Sequence, residues 1–327
     1  MSRRYVELML RLQIESELAY WIRGDTLFGH LCRTFADVAG MPAMTEVAGR
    51  YTKGDPWCVV SDARPEGYIP RPCVPMIRLY PGKVTPTARE TFKSRIWVSR
   101  NATTVPLDQW GKHCVSGADI SSCYQHNELS TPGARLWVTI NRHSGVHPGG
   151  ISSLCQNVPA SVPLEVSIIV DTAQVAVERI AECVSIIGLE GLGRHRSSGW
   201  GRFKVIELFT LTPTFARDGQ SLLTLAPCAP QGLNLDPTRS WYKSFVHFGK
   251  LGPAQSEARG NVHKTPLLLA ATGAVLTPRA GWRRPFFGQA IGGAGRLSLA
   301  LSGAIHQGYA PYVPIVLQAE AAAGVAL

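Results

Sequence analysis

No stretch of the 327 residues approaches the roughly 18 consecutive apolar side chains that a membrane-spanning helix needs. The N-terminal MSRRYVELML runs directly into an alternating pattern and has no apolar signal core. Both absences imply a chain that stays in the cytoplasm and off the membrane. The eight cysteines never fall as C-x-x-C, which excludes a zinc ribbon and a disulfide scaffold and leaves them as small apolar groups in a reducing compartment. His143 and His147 have the spacing of two ligands on a helix. They sit in RHSGVHPGG, however, where Gly and Pro forbid the helix. Neither a metal nor a cofactor is therefore expected. Acidic residues are also scarce: 23 Asp and Glu against 33 Lys and Arg give a net charge of +10, so a polyanion is the natural partner class.

Apolar residues make up 45% of the chain and charged residues 17%, a globular balance, and the length suits two domains. YVELMLRLQI (5–14) alternates as a strand, and Arg23-Gly24-Asp25-Thr26 has the form of a helix start, with Asp25 placed to cap LFGHLCRTFADV. From about 51 to 135 the chain is rich in Pro, Gly and basic residues with little periodicity. That composition predicts long loops or a projecting insertion. LWVTI (136–140) and PLEVSIIV (163–170) read as strands, TAQVAVERIAECVSIIG (172–188) as a helix with a glycine stop, and FKVIEL (203–208) as a closing strand. The order strand, helix, strand, strand, helix, strand is the split β-α-β pattern of an α+β, ferredoxin-like or RRM-like unit. Beyond about residue 210 the composition shifts to strands punctuated by Pro and Gly, a second and mostly β unit over 211–327.

The segment richest in chemistry is Gly188 to Phe203, GLEGLGRHRSSGWGRF. Glycines at 191, 193, 199 and 201 permit close backbone approach, and Arg194, His195, Arg196, Ser197 and Ser198 supply charge and hydroxyl donors suited to phosphates. No G-K-[ST] follows, which excludes a Walker loop. The run follows a helix and leads into a strand, the reverse of a dinucleotide-binding fingerprint. His195 lies between two arginines, pointing to RNA contact, and Trp200 is placed for base stacking or for packing the loop.

GLGRHRSSGWGRF resembles the glycine-rich loop of the RAMP superfamily of CRISPR-associated proteins. Gly24-Asp25-Thr26-Leu27-Phe28-Gly29-His30-Leu31 is similar to the opening D-T-L-F-G helix of the RAMP subunits that cap the guide's 5′ handle in type III-A complexes, and Asn141-Arg142-His143-Ser144-Gly145 to their central R-x-[ST]-G segment. Weaker landmarks follow in order: Trp241-Tyr242-Lys243, Phe248-Gly249-Lys250, Lys264 before Ala271-Thr272-Gly273-Ala274, and Gly308-Tyr309-Ala310-Pro311. The resemblance spans nearly the whole chain. It implies two RRM-like units in tandem (1–210 and 211–327) with a thumb-like basic insertion at about 80–125. It also implies a non-catalytic subunit that holds the 5′ handle of a guide RNA beside a large subunit and backbone subunits.

The residues assigned to RNA are the loop's Gly191, Gly193, Arg194, His195, Arg196, Ser197, Ser198, Gly199, Trp200, Gly201 and Arg202. To these are added Arg23 and His30 at the first helix, Lys93, Arg95 and Arg100 in the insertion, and Arg142 in the central segment. Two alternatives stay open. One is a metal-independent RAMP endoribonuclease using His30 as its base; the other is the equivalent capping subunit of a type III-D or type IV complex.

Overall fold

Alternation along YVELMLRLQI produces β1 (Tyr5–Ile14), which sends Leu8, Leu10 and Leu12 to one face of a sheet and Glu7, Met9 and Arg11 to the other. The structure is a computed structural model and describes residues 4–138, 150–251 and 263–318. Two helices follow, α1 (Gly24–Ala39) and α2 (Met41–Thr52), then a three-residue strand β2 (Cys58–Val60). After a long excursion come β3 (Leu164–Asp171), α3 (Val177–Glu190) and β4 (Phe203–Leu211). The strands are antiparallel in the order β4-β1-β3-β2, with α1 after the first strand and α3 after the third. This is a split β-α-β arrangement within an α+β fold. Leu27, Phe28 and Leu31 of α1 and Ile180, Val184 and Ile187 of α3 pack on the leucine face of the sheet.

The second strand of this pattern is not the one the sequence suggested. Residues 136–138 of LWVTI belong to a hairpin, Thr131–Val138 with Gly150–Asn157, whose strands pair with each other and with no other strand among the described residues, while Thr139 and Ile140 lie outside the described residues. The sheet's second strand is instead Cys58–Val60, within the stretch expected to be loops. It is too short to show alternation, and all three residues are buried. The helix start also differs. Asp25 does not cap α1: Asp62 accepts the Gly24 N–H at 2.7 Å, and Asp25 lies in the first turn. Gly24 is required there because a Cβ would stand 2.4 Å from the Val60 carbonyl oxygen. Likewise α3 ends at Gly191 with φ +86°, and Gly188, the expected stop, is a buried position inside the helix lying against Phe203.

The second sheet consists of β5 (Ser221–Thr224), β8 (Val275–Leu276), β9 (Phe286–Gly288) and β10 (Tyr309–Ile315), in the order β8-β5-β10-β9. A separate ribbon pairs β6 (Ser244–His247) with β7 (Leu267–Ala270). No α-helix occurs among the described residues after Glu190. Part of the insertion expected to project at 80–125 is core: Val98, Ala102, Leu107 and Trp110 are buried and share a cluster with Leu223, Val275, Val313 and Ile315. Residues 81–97, which include the helix Pro86–Ser94, contain no buried residue. Sequence periodicity missed this core because it is built from short 3-10 turns (Arg100–Thr104 and Leu107–His113), which repeat neither every two nor every 3.6 residues.

The two sheets are joined by a side chain acting as a strand. Gln307, fully buried, accepts from Val60 N–H and donates to Val60 C=O, both at 2.8 Å, and so occupies the open edge of β2. Replacing it by an apolar group of similar size strands two buried backbone groups at about 1–3 kcal/mol each. Gln307→Leu is therefore expected to shift the urea midpoint down without altering the secondary-structure content measured by circular dichroism. An unchanged midpoint would show that water satisfies Val60 instead.

Candidate nucleic-acid interface

The loop between α3 and β4 folds back on itself. Leu192 N–H donates to the Gly201 carbonyl at 3.0 Å, Gly201 N–H to Glu17 C=O at 2.8 Å and Arg202 N–H to the Ser16 hydroxyl at 2.8 Å. Such close crossing admits no side chain at Gly191 or Gly201: a Cβ at Gly191 would meet the Trp200 carbonyl at 2.2 Å, and one at Gly201 the Leu192 carbonyl at 2.1 Å. Both glycines also have positive φ, as do Gly193 and Gly199 at the tip. His195 adopts the same left-handed region at φ +66° and opens a single 3-10 turn, Arg196–Ser198. The result is a rigid knuckle with Arg194, Ser197, Ser198, Gly199 and Arg202 exposed.

Trp200 lies fully buried beneath this tip, its ring edge-on to His195 with centroids 5.1 Å apart. It packs the loop and offers no face for stacking a base. Arg196 is turned back onto the helix, pairing with Glu190 at 2.9 Å, while Arg33 of α1 approaches the same carboxylate at 3.9 Å. Gly193 N–H donates to His30 Nε2 at 3.0 Å, tying the tip to α1. Burial, aided by the neighbouring Arg33 charge, lowers the His30 pKa to about 4, so the ring is neutral and serves as an acceptor. His195 is lowered too, by partial desolvation and by Arg194.

Of the remaining sequence-derived candidates, Arg23 sits at the mouth of α1 with its guanidinium 4.8 Å from the Phe245 ring and 3.5 Å from Asp25. Lys93 pairs with Glu90 on the exposed helix, and Arg95 lies 5.9 Å from the Phe92 ring. Arg100 pairs with the buried Glu165 on the sheet face opposite α1 and α3, which places it away from the loop. Arg142, with the surrounding Asn141–Gly145 segment and the His143/His147 pair, lies outside the described residues. The structure thus brings together the loop and His30, and leaves the insertion's basic residues elsewhere. What sequence reasoning missed was the role of Ser16, Glu17 and Glu190, which hold the loop; a short polar run after a strand carries no signal of that kind.

A split β-α-β sheet that presents a glycine-rich knuckle between its second helix and last strand defines a class of α+β scaffold. No family model and no curated protein matches the sequence. Solved structures do match the fold. A chain of the Csm3-Csm4 subcomplex in the type III-A CRISPR-Cas interference complex superposes with a TM-score of 0.57 at 13% identity, covering 94% of this chain and 100% of that one. A chain of the Csm1-Csm4 cassette in complex with pppApA gives 0.57 at 13% identity, and one from the cassette in complex with cA4 gives 0.57 at 12%. In both cassette comparisons 96% of this chain and 99% of that chain are covered. Csm4 is the component common to these complexes, and the likeness is one of fold. No helix among the described residues is long and apolar enough to cross a membrane.

The His30–Gly193 bond has a pH signature. A histidine whose folded pKa lies below its unfolded value contributes stability that is complete above about pH 6.5 and lost as the pH falls toward 4, because the unfolded chain binds the proton first. The loss across that window is about 1–3 kcal/mol after allowance for partial solvent access. His30→Asn keeps an acceptor for Gly193 but cannot titrate. Urea unfolding at pH 7 and pH 5 should therefore show a smaller acid loss for the variant than for the parent, and equal losses would mean that His30 is solvated.

Proposed function

We propose that this chain is a non-catalytic RNA-binding subunit of a CRISPR effector ribonucleoprotein that holds the 5′ repeat-derived handle of the guide RNA and caps the backbone filament beside the large subunit. The observation that carries the reading is the knuckle itself. Four positive-φ glycines hold exposed Arg194, Ser197, Ser198 and Arg202 on a tip braced by α1, so basic and hydroxyl donors face outward with little entropy left to lose. The fold likeness to the component shared by Csm1-Csm4 and Csm3-Csm4 complexes supports a hetero-oligomeric setting with one partner on each side. In this reading the C-terminal sheet is a degenerate second copy of the first unit. The exposed helix Pro86–Ser94, carrying Arg89 and Lys93, is the part of the insertion that reaches a neighbouring subunit or the RNA.

His30 supports a holding role over a cutting one. A general base needs a lone pair free to take the 2′-hydroxyl proton, and its Nε2 already accepts the Gly193 N–H. Two measurements test the proposal together. The Arg194→Ala, Arg202→Ala double variant should lose about 1.4 from the log–log salt slope of binding to single-stranded handle RNA, about 0.7 for each phosphate contact. Arg196→Ala, whose guanidinium is spent on Glu190, should lose much less. A slope unchanged in the double variant removes the loop from the interface. Cleavage of labelled precursor RNA by the purified chain, abolished by His30→Ala, would move the assignment to the endoribonuclease.

A further inference from the structure

A second polar cluster lies at the N-terminal end of α1, ahead of the turn that carries His30, and takes no part in the reading above. Asp25, in the first turn of α1, places Oδ2 3.4 Å from Nδ1 of His247 and 3.8 Å from Nε2 of His306. The three side chains come from three separate elements: α1, the end of β6, and the short strand Ile305–His306. One ligand atom from each lies within 4.8 Å of the other two. The imidazole rings stand 4.7 Å apart and tilted by 36°, so they converge without stacking flat. Asp25 Oδ2 and His306 Nε2 are both buried, on residues only 4% and 5% exposed, and neither has a hydrogen-bond partner. Two buried polar atoms without hydrogen bonds, aimed at one point, are costly unless something fills that point.

We propose that Asp25, His247 and His306 form a binding site for a single divalent transition-metal ion of the zinc class. Two imidazoles and one carboxylate are a donor set that zinc-like ions take and that hard, oxygen-seeking magnesium or calcium does not. Tetrahedral ligands at about 2.0–2.1 Å from the ion stand roughly 3.3 Å from one another. The two Asp25 edges are already close to that spacing, and a small rotation of His247, the more exposed of the histidines, completes the third. Three protein ligands leave a fourth position for water on the His247 side. Arg23, 3.5 Å from Asp25, and the half-buried Lys264, which donates to the Ile305 carbonyl at 3.2 Å, flank the cluster and oppose a cation. Asp62, half-buried and bonded to Gly24 N–H and the Thr272 hydroxyl, offsets part of that charge. The ion would pin the start of α1 to the β6–β7 ribbon and to the strand Ile305–His306, adding a metal clasp where the two sheets meet.

The site is independent of RNA binding and is tested without it. The full chain, stripped with chelator, is titrated with Zn²⁺ against a chromophoric competitor and, in parallel, with Co²⁺ followed by visible absorption. One equivalent should bind, the cobalt spectrum should show the intense d–d bands of a four-coordinate nitrogen and oxygen site, and the thiolate charge-transfer band of a cysteine site should be absent. His247→Ala, at the open side, should weaken binding roughly 100-fold while leaving the metal-free melting temperature near that of the parent. Asp25→Asn, nearly isosteric, should do the same. No stoichiometric binding, a thiolate band, or affinity unchanged in both variants would overturn the assignment.

Discussion

The bond pair between the Gln307 amide and the backbone of Val60 is the constraint on which the remainder of the architecture turns. β2 is three residues long and forms the edge of its sheet, too short to hold its position through ladder bonds to β3 alone. With Gln307 on its free side, β2 is bonded on both flanks, and residues 60–63 become a fixed rail. Gly24 can lie against that rail only because it has no Cβ, and Asp62, two residues after Val60, caps the helix that Gly24 begins. Asp62 in turn receives the Thr272 hydroxyl from the second sheet, while Tyr51 accepts the Gly308 N–H and donates to the His306 carbonyl. The start of α1 is therefore set by contacts to both sheets, and His30, two turns on, carries that placement to the Gly193 N–H at the loop tip.

The knuckle illustrates how backbone conformation and charge divide the work. Gly191 and Gly201 exist for the crossing of the arms and face nothing that a ligand could touch. Gly193 and Gly199 have open space around them, where a Cβ would meet no atom within 4 Å, so at these two positions glycine serves the positive φ alone. At Gly193 and Gly199 the tip's backbone carries no side chain, a condition for a close approach by a phosphate. Trp200, which sequence placed among the stacking candidates, is what the loop closes over: its burial supplies apolar contact to a segment otherwise made of Gly, Ser and Arg.

Sequence displayed the features that repeat and hid those that do not. The strand at 5–14, the helix beginning near 24, the strand at 163–170, the helix ending near the glycine run and the strand from 203 were legible because their apolar spacing is periodic. Cys58–Val60 was not, since a fully buried triplet reads the same in a loop, a helix or a strand. Nor was the core at 97–114, where Trp110 and Leu107 sit on 3-10 turns and find their partners, Val313 and Ile315, some two hundred residues later. The cap went to Asp62 instead of Asp25 for a related reason: a capping carboxylate can arrive from a distant segment, and local spacing does not register it. The Asp25, His247 and His306 cluster escaped entirely, because a metal motif is recognised by short spacings and these three come together only when both sheets are in place.

Net charge, the first hint of a polyanionic partner, says little about where such a partner sits. Many arginines are spent on the fold: Arg4 on Asp171, Arg11 on Glu66 and Glu207, Arg50 on Asp55, Arg64 on Ser61 and Ser167, Arg100 on Glu165 and Arg196 on Glu190. A guanidinium already neutralised by a carboxylate releases no counterion from a phosphate unless the pair is first broken, so the carboxylate-paired arginines count among the 33 basic residues without adding to the salt dependence of binding. What remains near the loop is Arg194 and Arg202, with Lys204 following on the exposed side of β4. Their spacing along a rigid tip matters more than the total, because fixed charges at a surface with bare backbone between them can bind successive phosphates of a strand, whereas scattered ones only attract it. The excess of basic residues brings a polyanion to the protein, and the glycines determine where on the protein it is held.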